Sequence, residues 1–105
     1  MRRGDVYWYS FQAPDKRRPV LILTRDSAIP ILNSVTVAPI TSTTRAIPTE
    51  VELSRHEGMP VACVVNFDNI QTVPKRKLGD RITRLSPPKL ADAARAVSFA
   101  LGLEE

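Results

Sequence analysis

The sequence predicts a mainly β domain with one C-terminal helix, an α+β chain whose short strands close into a small barrel. Three observations carry that expectation. Short runs rich in aromatic and β-branched residues recur along the chain, turn residues separate them, and only the last segment has helical periodicity. At 105 residues, with 43% hydrophobic and 25% charged side chains, the chain has the length and composition of one folded domain spanning 1–105. A chain of that length has room for one core, so an active site is expected as a surface groove or a seam between two copies.

Asp5 to Phe11 (DVYWYSF) reads as the first strand, and Gln12 to Asp15 as the turn that ends it. Pro19 to Thr24 (PVLILT) is a nearly continuous apolar run of strand length, expected to be buried on both faces, with Arg18 where a loop enters the core. Arg25 to Asn33, interrupted by Pro30, is a connecting loop. Ser34 to Ile40 is a third strand whose Pro39 marks its end or a sheet edge. The hydroxyl-rich stretch Thr41 to Arg45 is a loop, and Glu50 to Leu53 alternates polar and apolar like a half-exposed strand.

Gly58-Met59-Pro60 turns the chain into a buried strand over Val61 to Val65. Phe67 to Ile70 is a tight turn, and Gln71 to Val73 and Arg81 to Leu85 are short final strands. The helix has Ser86 as N-cap and Pro87 and Pro88 in its first turn. Leu90, Ala94, Val97 and Leu101 are expected on its apolar stripe, and Gly102 is its stop.

Fifteen Lys and Arg against eleven Asp and Glu give a net charge of +4. The cations cluster at Arg2-Arg3, Lys16 to Arg18, Lys75 to Lys77 and Arg81/Arg84, while acids gather at Glu50/Glu52 and Glu104-Glu105, so part of the surface is expected to attract a polyanion. With one His and one Cys the chain lacks the side chains of a dedicated metal centre or a Cys-His or paired-His catalyst. His56 lies in a loop-like stretch, and Cys63 reads as a small buried hydrophobe in an apolar run. No glycine-rich phosphate loop, secretory leader or membrane span is apparent, so no cofactor, no membrane contact and a cytoplasmic location are expected. If the polyanion is a nucleic acid cut without metal, it is RNA, whose 2′-hydroxyl is an internal nucleophile. The protein then has to align that oxygen and stabilise charge on the phosphate, a task suited to Arg donors with Thr hydroxyls in support.

Arg3-Gly4-Asp5-Val6-Tyr7-Trp8, Arg18-Pro19-Val20-Leu21-Ile22-Leu23, Val37-Ala38-Pro39-Ile40-Thr41 and Asn66-Phe67-Asp68-Asn69-Ile70 follow one another in an order and spacing that resemble the MazF/PemK toxin family. The resemblance spans nearly the whole chain. It implies an SH3-like barrel of the CcdB/PemK/MazF kind, acting as a homodimeric, metal-independent endoribonuclease. Such an enzyme cuts single-stranded RNA to 2′,3′-cyclic phosphate and 5′-hydroxyl ends and is neutralised by a cognate antitoxin protein. Messenger, ribosomal and transfer RNA are all open as its target.

The resemblance further implies Arg18 and Thr41 as the catalytic pair. Arg18 would act mainly by stabilising the transferring phosphate, since a guanidinium keeps its proton, with a proton relay left open. Candidates for RNA contact are Lys16, Arg17, Ser42, Thr43, Asn66, Asp68, Asn69, Lys75, Arg76 and Lys77. Asp68 reads a base edge or bonds its own turn; the sequence leaves both open. Gln12 to Arg17 form a shorter first loop than in many relatives, and Gln71 stands where relatives often carry a cation. Two other functions fit the same architecture: a CcdB-like, non-enzymatic gyrase inhibitor, and a barrel that binds RNA without cutting it.

Overall fold

The computed structural model describes residues 1–12 and 16–104. Its strands are β1 (Asp5–Ser10), β2 (Arg17–Ile22), β3 (Ser34–Thr41), β4 (Glu50–Leu53), β5 (Cys63–Asn66), β6 (Gln71–Pro74) and β7 (Leu78–Arg84), followed by the helix α1 (Pro87–Ala100). Ala13 to Asp15, most of the turn expected after the first strand, lie outside the described residues. All strand pairings are antiparallel, in the order β4-β5-β3-β2-β1-β7, with β6 beside β3. The fold is thus mainly antiparallel sheet with one C-terminal helix, as the sequence predicts.

Side chains on a strand alternate between faces, and β2 and β3 use both. Val20 and Ile22 face one core with Val35, Val37 and Val73, against which Tyr7, Tyr9, Phe11 and Leu78 pack. Leu21, Ala38 and Ile40 face a second core with Phe67, Val65, Leu85 and the helix residues Ala93 and Ala96. The apolar run of β2 is therefore buried on both sides, because the barrel lies on one face of it and the helix on the other.

Several boundaries differ from the sequence reading, each for a backbone reason. β2 starts at Arg17, since Arg17 and Arg18 continue the ladder opposite Ser10 and Tyr9; pairing depends on the main chain, which a polar side chain does not stop. Arg18, expected where the chain enters this strand, is its second residue. Pro39 marks neither a strand end nor an edge. It lies inside β3 opposite Val20, at the point where the other neighbour of β3 changes from β6 (Val37 opposite Gln71) to β5 (Ile40 opposite Val65). A residue without an N–H fits at such a gap.

β5 begins at Cys63 because its partner ends there: Leu53, the last residue of β4, lies opposite Cys63, and Val61 is 55% exposed. β7 reaches back to Leu78, opposite Tyr9, through two register shifts, one at Ile82 and one at Gly79-Asp80.

Ser86 caps α1, its hydroxyl accepting from the Lys89 N–H, and Pro87 and Pro88 occupy the first two positions. At the other end Gly102 adopts φ 68°, and the N–H groups of Gly102 and Leu103 return to the carbonyls of Phe99 and Ser98, a Schellman termination. The buried stripe is Leu90, Ala93, Ala96, Val97 and Ala100; Ala94 and Leu101 are exposed. The expected stripe was out of phase there because small alanines carry little periodic signal.

The Arg-Gly-Asp motif proves to be a structural stitch. Gly4 takes φ 94° with Leu90 packed where a Cβ would stand. Asp5, fully buried, accepts from the Arg2 N–H at 2.9 Å and the Arg84 Nε at 2.6 Å, joining the N-terminus to β7. Burial pushes the Asp5 carboxyl up, but the bonds from Arg84 and Arg2 and the charges of Arg84 and Arg81 outweigh it and hold the group below its ordinary value.

Candidate active site: a groove at the barrel mouth

Strand parity builds the site. The barrel-facing residues of β2 are Val20 and Ile22, so Arg18 continues that face beyond the core; those of β3 are Val35 and Val37, followed by Pro39 and Thr41. The β2–β3 register pairs Val20 with Pro39. Carried two residues outward, it sets Arg18 opposite Thr41. On β1 the face of Tyr7 and Tyr9 runs on to Phe11, whose ring meets Tyr9 edge-on at 4.9 Å. On β6 the face of Val73 runs on to Gln71. Where the apolar filling of the barrel ends, the same face thus presents Phe11, Arg18, Thr41 and Gln71, and all four line one groove of about 640 Å³.

Two walls rise from that floor. One is the 3-10 turn Phe67–Asn69, entered from Asn66, whose side-chain oxygen accepts the Asp68 N–H at 2.9 Å; Asn66, Asp68 and Asn69 all line the groove. The Asp68 carboxylate accepts from the Thr49 hydroxyl at 2.6 Å. The other wall is the loop after β3, which brings Thr43 and Arg45 to the groove beside Glu50. The Thr41 hydroxyl accepts the Thr43 N–H at 3.2 Å, so its proton is free to be donated into the groove.

The structure thus gathers Arg18, Thr41, Thr43, Asn66, Asp68 and Asn69 from the residues nominated by sequence. The rest stand elsewhere. Arg17 points to the opposite face of β2 and stacks its guanidinium over Trp8, 4.2 Å from the ring centroid. Lys16 is exposed just before β2 and is not part of the groove lining. Ser42 alternates away from Thr41 and Thr43 into a second cleft with Cys63 and Lys89. There burial, and then the charge of Glu57, push the Cys63 thiol above its ordinary value, as fits a buried hydrophobe.

Lys75, Arg76 and Lys77 form a 3-10 turn outside the groove lining. It follows Pro74, which lies opposite Ser34 at the far end of β3 from Thr41, and the Lys75 ammonium donates to the Ile29 carbonyl. Sequence reasoning missed Phe11, Arg45, Glu50 and Gln71 as groove residues. For Phe11 and Gln71 the signal was present as the period-2 continuation of Tyr7-Tyr9 and of Val73. Among the described residues no group of three or more His, Cys, Asp and Glu side chains is placed to hold a metal, and no helix is long and apolar enough to cross a membrane.

A family model described as "PemK-like, MazF-like toxin of type II toxin-antitoxin system" matches residues 2–101. The chain belongs to this family. Among the relatives of this MazF-family toxin, the probable endoribonuclease MazF2 of Mycobacterium tuberculosis is 43% identical over 103 residues, covering 97% of this chain and 99% of the relative. Endoribonuclease MazF3 of the same organism is 44% identical over 90 residues, 86% of this chain and 87% of the relative.

Solved structures agree. Mycobacterium tuberculosis toxin MazF-mt6 superposes with a TM-score of 0.88 at 40% identity, covering 96% of this chain and 99% of that one. A mycobacterial endoribonuclease solved in complex with its cognate antitoxin gives a TM-score of 0.88 at 30% identity, covering 100% and 98%. These neighbours place the MazF-family toxin in the fold expected from its motifs.

Proposed function

We propose that this MazF-family toxin is an endoribonuclease that acts in the cytoplasm on single-stranded RNA without a metal ion, as a homodimer of the 1–105 domain. The observation that carries the reading is that Arg18 and Thr41, on the same face of neighbouring strands, line one open groove at the barrel mouth. RNA laid there presents a phosphate to the guanidinium, whose planar fork of donors matches the phosphoryl oxygens. The 2′-hydroxyl gives up its proton as its oxygen attacks the neighbouring phosphorus in line, the bond from phosphorus to the 5′-oxygen breaks and that oxygen takes up a proton, leaving a 2′,3′-cyclic phosphate and a 5′-hydroxyl. Arg18 stabilises the charge that grows on the phosphoryl oxygens, and the Thr41 hydroxyl adds a donor. Asn66 and Asn69 offer amide edges to bases. Asp68 has one oxygen engaged by Thr49, which leaves the other to accept from a base.

That relatives are named endoribonucleases favours this reading over gyrase inhibition and over binding without cleavage. Two partner assignments accompany it. The C-terminal end of α1 leaves Phe99, Leu101 and Leu103 exposed at 58%, 52% and 69%. Beside it a cleft in which Leu23, Leu32, Val97 and Leu101 stand with Arg3 and Arg25 meets the groove at Ile70. A second copy seated on that face would run the RNA path across the seam. A cognate antitoxin with an acidic segment would fill the same groove and compete with RNA. Incubation of purified protein with messenger, ribosomal and transfer RNA, followed by mapping of new 5′-hydroxyl ends, tests the activity. Cuts that persist in chelator are expected; cuts abolished by chelator and restored by a divalent ion would refute the metal-free mechanism.

A further inference from the structure

Two carboxylates, Glu50 and Asp68, stand in a groove read here as the seat of a polyanion. Such charges oppose binding unless the fold engages them otherwise. It does so through adjacent residues. Glu50 Oε1 accepts the backbone N–H of Arg45 at 2.9 Å, that of Ala46 at 3.1 Å and the Thr44 hydroxyl at 3.3 Å. Thr49, only 7% exposed, donates its hydroxyl to Asp68 at 2.6 Å and accepts the Phe67 N–H on its carbonyl at 3.0 Å. The first residue of β4 therefore fixes one wall of the groove and the residue before it fixes the other.

The Glu50 side is held against a backbone cost. Ala46 takes φ 53°, the one non-glycine residue with positive φ among those described, and its N–H points to Glu50 and to the Thr44 hydroxyl. The product of that constraint is the placement of Arg45 on the groove wall, with no ion pair among the described residues.

We infer that Arg45 contacts the RNA backbone as a second cation alongside Arg18, and that Glu50 is a positioning residue that holds Arg45 there through hydrogen bonds. The inference rests on the endoribonuclease reading for its ligand. Its mechanism is preorganisation: a loop already fixed in its binding geometry loses less entropy when the strand arrives. Glu50 uses its oxygen as an acceptor, so its charge is dispensable and its shape is not.

The test measures affinity for an oligonucleotide whose scissile 2′-hydroxyl is replaced by hydrogen, across a salt series, and then KM and kcat on the intact RNA. Arg45→Ala is expected to lower the slope of log affinity against log salt by about 0.7, the loss of one phosphate contact on a single strand. Glu50→Ala is expected to reproduce that slope and raise KM, and combining it with Arg45→Ala adds little, because the two act as a unit. Glu50→Gln keeps an acceptor oxygen and is expected to retain the parent slope and KM. An unchanged slope in Arg45→Ala overturns the inference, and so does a Glu50→Gln variant as impaired as Glu50→Ala, which would assign the work to the charge itself. Arg45→Ala and Glu50→Gln decide the matter even where Glu50→Ala fails to fold. A parent protein that binds with a normal salt slope but never cuts counts against the enzyme reading alone, since the slopes are read without cleavage.

Discussion

Arg18 and Asp5 show how differently two charged side chains of one small fold are used. Arg18 emerges half-buried from the barrel face into the groove, while Asp5 is sealed between the N-terminus and β7. Arg18→Ala is expected to cut cleavage by about 10²–10³, the usual loss for one preorganised donor. Its thermal unfolding should stay close to the parent's, because the side chain leaves no core void; an equally active variant would sink the assignment. Asp5→Asn has the opposite profile, costing stability rather than chemistry. Arg84 and the Arg2 N–H lose a charged acceptor, a change of about 1–2 kcal/mol once the 43% exposure of the Arg84 side chain is allowed for.

The pH dependence follows from the direction of the Asp5 shift. Its folded-state pKa lies below the ordinary 3.8, so on acidification the unfolded chain takes up the proton first. The contribution of Asp5 is therefore complete above that value and is lost as pH falls through the folded-state pKa. Urea unfolding at pH 7 and pH 3 should show the gap between parent and Asp5→Asn narrowing at the lower pH. A gap that is constant or widens on acidification would contradict the depressed carboxyl.

At the scale of elements, what the sequence revealed tracks how strongly side chains alternate. β4 is legible residue for residue because Val51 and Leu53 are buried while Glu50 and Glu52 are not. β2 and β3 announce themselves as apolar runs, but their ends do not, since Arg17 and Arg18 pair by backbone alone. Arg18 and Thr41 entered through a resemblance of ordered motifs, and the register explains why those two segments go together. Arg45 and Glu50 were illegible as site residues because the loop's path is set by a few irregular bonds from Thr44, Arg45 and Ala46 to the Glu50 carboxylate, which leave no periodic trace.

The helix gives the sharpest test of phase. Ala93 is 1% exposed beneath α1, whereas Ala94 faces solvent. Ala93→Lys should unfold the domain at physiological temperature, by burying a charge without a partner. Ala94→Lys should shift the urea midpoint by no more than about 0.5 kcal/mol in equivalent stability. A severe Ala94→Lys beside a mild Ala93→Lys would instead place Ala94 on the buried stripe.

The whole molecule is organised as two cores on either side of β2 and β3, and the groove opens where the barrel core ends. The second core closes under α1 as far as Ala100, while Phe99, Leu101 and Leu103 remain in solvent. Leu101 lines the cleft with Leu23 and Leu32, and Phe99 and Leu103 are exposed at the same end of the helix, apolar surface that a second copy can bury. Because Ile70 lines both this cleft and the groove, the proposed dimer on this face predicts that separating the two copies reaches the site without touching Arg18 or Thr41. Leu101→Glu is therefore expected to yield a folded monomer in sedimentation or light scattering, with cleavage reduced chiefly through weaker RNA binding as half of a shared path is lost. Circular dichroism should stay that of the parent, since Leu101 is half exposed in the single chain. A Leu101→Glu protein that remains dimeric would move the interface to another face, and a monomer that cuts as well as the parent would show that each groove works alone.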